Sequence, residues 1–165
     1  MKFFNNNKHF LHQCLTFFES TGLEGKGGMF KKFLSDKRIS VIGESWDIDH
    51  STIDWNRIDS HFQFYFDYEG NEEEIKSWLR QSELKNYEFL FTWLTLDDPI
   101  IKIKATDFIE YWEEFNIASG WEGLILTTDD GKLFLEFTDN WKYHLNSNFE
   151  IKRGTEKYKI NKLTK

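Results

Sequence analysis

The sequence contains few of the residues that cross-link a chain or interrupt its secondary structure: its 165 residues include one cysteine and one proline. Because Cys14 is alone, no disulfide can form within the chain, and the fold does not depend on an oxidising compartment. No run approaches the roughly 18 apolar residues of a membrane span. His9, His12 and Gln13 interrupt the apolar start where a signal peptide would need a continuous run. We therefore expect a cytoplasmic protein that makes no membrane contact.

Complete catalytic signatures are also missing, since HExxH, GxSxG and the GKS or GKT ending of a phosphate loop are all absent. These motifs serve zinc proteases, serine hydrolases and nucleotide-binding proteins, respectively. His9, His12 and Cys14 lie close together, but a single thiol without a partner pair at zinc spacing is typical of a core residue. We expect neither an enzyme nor a cofactor.

The length fits one ordinary domain, and no linker rich in proline, glycine or serine divides it. We expect a single α+β domain over 1–165, with flexible ends at 1–5 and 155–165. The predicted element order is α, β, β, α, β, α, β, β. Sequential hairpins in that order favour a mainly antiparallel sheet with about three helices packed on one face.

Three helices follow from apolar spacing. The first carries a stripe between Phe10 and Phe18, and the flexible loop 22–28, with its four glycines, is expected after it. The second begins at Asn71 as N-cap, with Glu74 completing a capping box, and its residues Ile75, Trp78 and Leu79 are predicted to face inward. The third, TDFIEYWEEFNI, is capped by Thr106 or Asp107 and turns its glutamates outward.

Strands follow from alternation of apolar and polar residues. HFQFYFDY alternates strictly, and YEFLFTWLTL is apolar on both faces, which places it centrally in the sheet. LILTTDDGKLFLEF predicts a hairpin with Asp130 and Gly131 at the two positive-φ positions of a type I′ turn. Two more strands are predicted near 39–42 and 143–151.

Basic residues are scarce in the middle of the chain. Residues 41–104 hold 6 Lys/Arg against 14 Asp/Glu, and residues 105–141 hold 1 against 9, which together give net −16. The ends are basic, with 7 against 3 in residues 1–40 and 7 against 2 in residues 142–165. Like charges at that density repel one another unless water or a cationic partner accommodates them. Thirty aromatic residues (17 Phe, 7 Trp, 6 Tyr) accompany them, and tryptophan among acids favours a partner surface over a purely solvated one.

The stretch DIDHSTIDW places three aspartates, a histidine and Trp55 together. Asp47, Asp49 and His50 could hold a divalent ion, because hard cations take carboxylate oxygens. The glycine and the closing glutamate of an EF-hand loop are missing, however. We favour an acidic surface that meets lysines and arginines.

The last third of the sequence resembles a known class of proteins over YWEEFNIASGWEGLILTTDDGKLFLEFTDNWKYHLNSNF (Tyr111–Phe149). Its acidic helix, WEG-type turn, tight DDG hairpin and aromatic-rich C-terminal strand are similar to those of immunity proteins from bacterial contact-dependent inhibition and related polymorphic toxin systems. The resemblance implies a small cytoplasmic protein that binds the C-terminal domain of a cognate toxin, commonly a nuclease. It also implies that binding blocks the active site or the substrate groove of the toxin.

The leading hypothesis is a non-enzymatic immunity protein, a monomer or weak dimer, that neutralises a cationic toxin domain without contacting nucleic acid directly. Two alternatives are an acidic nucleic-acid mimic that inhibits a DNA- or RNA-binding enzyme, and a metal-dependent hydrolase built on Asp47, Asp49 and His50. The predicted partner-binding residues are acids and two tryptophans: Asp47, Asp49, Asp54, Trp55, Glu113, Glu114, Trp121, Glu122, Asp129 and Asp130.

Overall fold

A computed structural model describes residues 9–24, 27–42, 51–66, 68–94, 98–119, 123–139 and 143–158. Within these residues the fold is α+β, as predicted, with one seven-stranded antiparallel sheet and five α-helices. The helices are α1 (His9–Cys14), α2 (Gly27–Asp36), α3 (Tyr68–Gln81), α4 (Ala105–Glu110) and α5 (Trp112–Ala118). None of the helices in this described part combines the length and the hydropathy that a bilayer span requires.

The strands are β1 (Phe18–Glu24), β2 (Phe62–Phe66), β3 (Phe89–Trp93), β4 (Pro99–Lys104), β5 (Leu124–Thr128), β6 (Phe134–Asp139) and β7 (Tyr143–Ser147). Their order across the sheet is β1-β4-β3-β5-β6-β7-β2. The predicted central position of β3 is confirmed. Short 3-10 turns at Trp55–Arg57 and Glu83–Asn86 complete the regular structure of the described residues.

Both faces of the sheet are covered by other elements, whereas the sequence predicted helices on one face only. Neighbouring strand residues point to opposite sides, and in β3 Leu90 joins one apolar cluster while Phe91 joins another. The first face packs against α1, α3, α4 and α5, and the second packs against α2, residues 39–41 and residues 53–58. Two layers are needed because β3 and β5 are apolar on both sides, so one layer would leave Phe91 and Ile125 in water.

The predicted helices differ from the observed ones mainly at their ends. The first helix stops at Cys14, because Phe18 is already part of β1, where it pairs with Ile103. Helix α3 starts at Tyr68, so Asn71 lies within it and is not its cap. The inward-facing positions were predicted correctly, since Ile75 and Leu79 are fully buried.

The third predicted helix is broken into α4 and α5 at Tyr111, whose backbone leaves the helical region (φ −120°, ψ 31°). Asp107 does not cap α4. It is buried and accepts hydrogen bonds from the backbone N–H of Thr16 (2.8 Å) and from its hydroxyl. This tertiary contact ties the segment after α1 to α4.

The glycine-rich stretch 22–28 is not simply a loop, because β1 continues to Glu24 and α2 begins at Gly27. Gly22 has φ +74° and lies where the pairing of β1 with β4 is irregular. Strand pairing therefore extends through a glycine that propensity alone would assign to a turn. In the predicted strand 39–42, the described structure has only an isolated bridge between Val41 and Ile53.

The β5–β6 hairpin is present, but its turn is not type I′. Thr128 N–H donates to the carbonyl of Leu133 (2.9 Å), which makes the connecting loop longer than two residues. Asp130 does not have a positive φ, whereas Gly131 does, at +69°. A Cβ atom on Gly131 would lie 2.7 Å from the carbonyl oxygen of Lys37. Glycine is therefore required both by backbone conformation and by the close approach of the α2 end.

Candidate functional site

The predicted partner-binding residues lie in three separate parts of the fold. Asp54 and Trp55 belong to residues 53–58 on the second face, and Glu113 and Glu114 lie in the first turn of α5. Asp129 and Asp130 lie in the loop between β5 and β6. Asp47, Asp49, Trp121 and Glu122 lie outside the described residues, as does His50. In the part of the chain that the structure describes, no three His, Cys, Asp or Glu side chains are grouped as metal ligands would be.

Helix α5 is fixed against α3 by Trp112. The indole is fully buried and stacks on Phe137 (centroids 5.8 Å apart, planes 9° apart). Its Nε1–H donates to the backbone carbonyl of Glu72 in α3 (3.2 Å). The next residue along α5, Glu113, is thereby held beside the Glu72 carboxyl group.

Three carboxyl groups converge where α3 and α5 meet: Glu72, Glu113 and Glu114. Burial, the hydrogen bond and charge of Glu72 and the charge of Glu114 together raise the pKa of Glu113 from 4.5 to about 7, while the charge of Lys76 opposes the shift. Glu113 and Glu72 thus share a hydrogen bond, and near neutral pH Glu113 holds a proton for part of the time. We call these three residues the α3–α5 acidic surface.

The nearest cations are engaged elsewhere. Lys76 Nζ lies 3.2 Å from Glu110 and 3.4 Å from Glu73, and Arg80 Nη2 lies 2.5 Å from Glu110. The hydrogen bonds from Arg80 and Lys76 hold the pKa of Glu110 below its ordinary value. Among the described residues, no lysine or arginine forms an ion pair with the α3–α5 acidic surface.

Apolar side chains reach the solvent beside these acids. Phe10 on α1 is 57% exposed and Ile117 on α5 is 50% exposed. The two helices pack together, and Ile117 lies one turn beyond Glu113 and Glu114 on the same helix side. Burial and the charge of Glu114 raise the pKa of the Cys14 thiol, which places α1 next to the acids. Carboxylates and accessible apolar groups therefore occupy one part of the surface.

Asp129 and Asp130 shape the hairpin loop. Asp130 accepts hydrogen bonds from the Thr128 hydroxyl (2.7 Å) and from the backbone N–H of Lys132 (3.0 Å). The Thr128 bond is the main reason that the pKa of Asp130 is lowered. Lys37 donates to the Asp129 carbonyl oxygen and lies 3.7 Å from its carboxylate. These contacts account for both acids without a partner protein.

Trp55 is buried, at 8% exposure, and is held by a fully buried acid that the sequence did not single out. Its Nε1–H lies 2.7 Å from Oε2 of Glu136, and the backbone N–H of Thr52 donates to Oε1 (2.6 Å). Burial raises the pKa of Glu136, while the hydrogen bonds from Ser51, Thr52 and Trp55 oppose that shift. The Ser51 hydroxyl lies 2.5 Å from Oε2 of Glu136 and 2.9 Å from the Ile53 carbonyl oxygen, so its one proton can be donated to either acceptor.

A cavity of about 390 Å³ opens beside Trp55, over β6, β7 and β2. Its floor is a polar cross-strand pair, because Gln63 of β2 lies opposite Asn146 of β7. Asn146 Oδ1 accepts from Gln63 Nε2 (2.9 Å) and lies 2.8 Å from His61 Nε2. Burial lowers the pKa of His61, so its ring is neutral.

Aromatic rings form the walls of this cavity. His61 is stacked on Trp55 (centroids 4.6 Å apart, planes 20° apart), and Tyr158 covers it from another side (4.9 Å). The ring of Tyr65 contacts His144 (4.2 Å). The backbone N–H of Tyr158 donates to the His61 carbonyl, so residues near the C-terminal end line the site.

The sequence contained a partial signal for this region. His61 and Gln63 were assigned to the polar side of their strand, and Glu136 is the single charged residue in the apolar run LFLEF. An acid in such a strand indicates either exposure or a hydrogen-bonded burial site, and only the fold decides between them. Comparison with protein-family models, with curated proteins and with solved structures found no significant match to the chain.

Proposed function

We propose that this protein is a non-enzymatic immunity protein, which binds a cationic toxin domain through the α3–α5 acidic surface and thereby neutralises it. The carrying observation is the convergence of Glu72, Glu113 and Glu114, which form no ion pair with a lysine or arginine among the described residues and feel only the charge of Lys76. Carboxylates that already compete for protons are stabilised by an incoming lysine or arginine. The resemblance over Tyr111–Phe149, which includes α5, supports the same proposal.

The surface has the two components that a tight inhibitor needs. Its charge attracts a toxin that is cationic where it binds phosphate, and this attraction raises the association rate. Phe10 and Ile117 supply exposed apolar area next to the acids, and desolvating such groups slows dissociation. A bound inhibitor of this kind would cover the phosphate-binding groove of a nuclease.

The proposal predicts that a secreted-toxin gene ends directly upstream and that its terminal domain forms a 1:1 complex with this chain. The triple change Glu72→Lys, Glu113→Lys and Glu114→Lys should slow association with the purified toxin domain at least about fivefold at low ionic strength. The salt dependence of the rate should flatten as well, because the attractive charges are gone. Stopped-flow fluorescence measures both quantities.

A matched control reverses three exposed acids elsewhere in the fold: Glu19, Glu88 and Glu156. This control changes the net charge by the same amount but leaves the α3–α5 acidic surface intact. Equal slowing in the control would show that only total charge matters. Unchanged association of the test variant would remove the α3–α5 acidic surface from the interface.

A further inference from the structure

The cavity over β6, β7 and β2 is lined by hydrogen-bond acceptors and aromatic faces, without a cation of its own. Among the described residues that line it, none is a lysine or an arginine. We propose that this cavity binds a guanidinium group carried on an alkyl chain. The proposal is independent of the α3–α5 acidic surface, which lies on the other face of the sheet.

Two acceptors at the cavity wall have no partner among the described residues. Asn146 Oδ1 can only accept, so the His61 proton is on Nε2, and Nδ1 of His61 is left as a buried acceptor without a hydrogen bond. His61 is only 6% exposed. Gln63 uses its Nε2 to donate to Asn146, which leaves its Oε1 open. A ligand that satisfies Gln63 Oε1 must bring an N–H or O–H donor, and the buried Nδ1 of His61 becomes reachable to such a donor only if the His61 ring moves.

The cavity rim adds negative charge and ring faces. Asp54 lies at the rim with its carboxylate partly accessible. Tyr65 is 62% exposed and Tyr158 is 48% exposed, so both rings are available to a bound group. A cation over a tyrosine face is attracted by the negative charge of the ring face. Ring faces beside a carboxylate thus favour a cationic ligand over a neutral one.

Guanidinium fits these features better than ammonium does. It is planar, stacks on aromatic rings and spreads five N–H donors over its edge, whereas ammonium is a compact and strongly hydrated charge. Among the described residues, no cation lines the cavity to compensate an anionic ligand, and the nearest cations face other groups. Arg57 Nε lies 3.5 Å from Asp54, and Lys157 donates to the Ser60 hydroxyl (3.0 Å). The Arg57 contact shows that Asp54 already accepts a guanidinium, and its exposed side chain can be displaced.

Two sources of the group share this chemistry: a free alkylguanidine, or an arginine side chain of a protein. The probes are agmatine for the first and Nα-acetyl-L-arginine methylamide for the second, with the citrulline analogue of the latter as the neutral isostere. Calorimetry and NMR titration of the full chain should show binding with a Kd on the order of 1 mM or tighter. The citrulline analogue should bind at least about tenfold more weakly. The tighter of the two cationic probes identifies the source.

Asp54→Asn should weaken the cationic probe at least about fivefold, because the rim charge is lost. This change preserves the turn, since the Asp54 side chain makes no capping hydrogen bond. Asp59→Asn is the matched control: it removes an exposed carboxylate outside the cavity lining and should leave binding unchanged. Arg57→Gln should tighten binding by removing the competing guanidinium. In the NMR titration, the side-chain amide of Gln63 should shift.

Three results would overturn the proposal. The first is equal affinity for the arginine and citrulline derivatives, and the second is equal weakening by Asp54→Asn and Asp59→Asn. The third is the absence of any shift at the Gln63 amide with both cationic probes at millimolar concentration. Folding of each variant is checked by its thermal transition, so a lost signal is not confused with an unfolded protein.

Discussion

The two faces of the sheet bury a tryptophan in different ways. On the first face, Trp112 stacks on Phe137 inside a hydrocarbon core, and its Nε1–H donates to the carbonyl of Glu72. On the second face, Trp55 stacks on His61 and donates to the buried carboxyl group of Glu136. Both indoles are inside, but the first is held mainly by packing and the second by a polar network.

This difference explains where the open cavity lies. A hydrocarbon core closes completely, because every gap loses dispersion contacts and exposes apolar area. The second face is closed by α2 only over the middle of the sheet, and its remaining part carries Gln63, Asn146 and His61. Polar side chains that bond to one another tolerate a neighbouring cavity better than apolar ones do. The polar part of the second face therefore keeps the cavity beside Trp55, while another cavity, of about 630 Å³, lies beside Trp78 and Ile151 of the first cluster.

The largest expected effect comes from the first face. Trp112→Ala should lower the free energy of unfolding by about 4 kcal/mol, because a fully buried ring is removed from a rigid core. Trp112→Phe should cost less, about 1–2 kcal/mol, since the stack on Phe137 survives and only the hydrogen bond to Glu72 and part of the volume are lost. Urea unfolding followed by circular dichroism measures both. A loss below about 2 kcal/mol for the alanine variant would show that this face is loosely packed.

The next largest expected effect comes from removing Glu136, the buried acid on the second face. Glu136→Ala should cost about 3 kcal/mol, because Ser51, the Thr52 N–H and the Trp55 N–H all lose their partner in a buried site. Glu136→Gln should cost less, about 2 kcal/mol, because the amide oxygen still accepts from the Thr52 N–H, while its NH2 group faces the Trp55 N–H that donated to Oε2. Chemical unfolding near neutral pH tests the pair. If glutamine were as damaging as alanine, the retained volume and the Thr52 hydrogen bond would contribute nothing to stability at this site.

The elements that local pattern determines were predicted, and those that depend on distant pairing were missed. Ile75 and Leu79 were assigned to the inside of α3 because helical spacing alone places them there. Strand β4 was missed, because it begins with Pro99 and proline is unusual in a strand. Pro99 is tolerated at the strand start, where the missing N–H is not needed, and the following residues pair with β1 and β3. Helix α2 begins with glycines that have low helix propensity, and burial of Phe30 and Leu34 stabilises it.

The same distinction applies to the candidate sites. Sequence reasoning identified Glu113 and Glu114 by their density of charge, but Glu72 joins them only through the contact of α5 with α3. The cavity floor depends on the β2–β7 register, which places Gln63 opposite Asn146. A shift of one residue in that pairing would turn both amides to the other face. Such registers are set by the whole sheet and cannot be read from either strand alone.

The smallest expected effect is the pH dependence of stability caused by Glu113, an acid of the α3–α5 acidic surface, in contrast to the buried Glu136. In the folded protein the pKa of Glu113 is raised from 4.5 to about 7. The folded state therefore binds more protons than the unfolded state within that window, and the free energy of unfolding falls as pH rises from about 4.5 to about 7. Glu113→Gln should remove this slope, and at pH 8 the variant should be more stable by about 1 kcal/mol, a modest value because the group is partly exposed.

Well below pH 4.5, the variant and the original chain should have nearly equal stability, because Glu113 is then protonated in both the folded and the unfolded states. Glu19→Gln is the matched control, since it changes an exposed acid on β1. Its stability curve should run parallel to that of the original chain. A Glu113→Gln curve that also ran parallel would mean that Glu113 does not hold the extra proton. The carboxylates would then be accommodated by water alone, and the main physical reason for a cationic partner at the α3–α5 acidic surface would be lost.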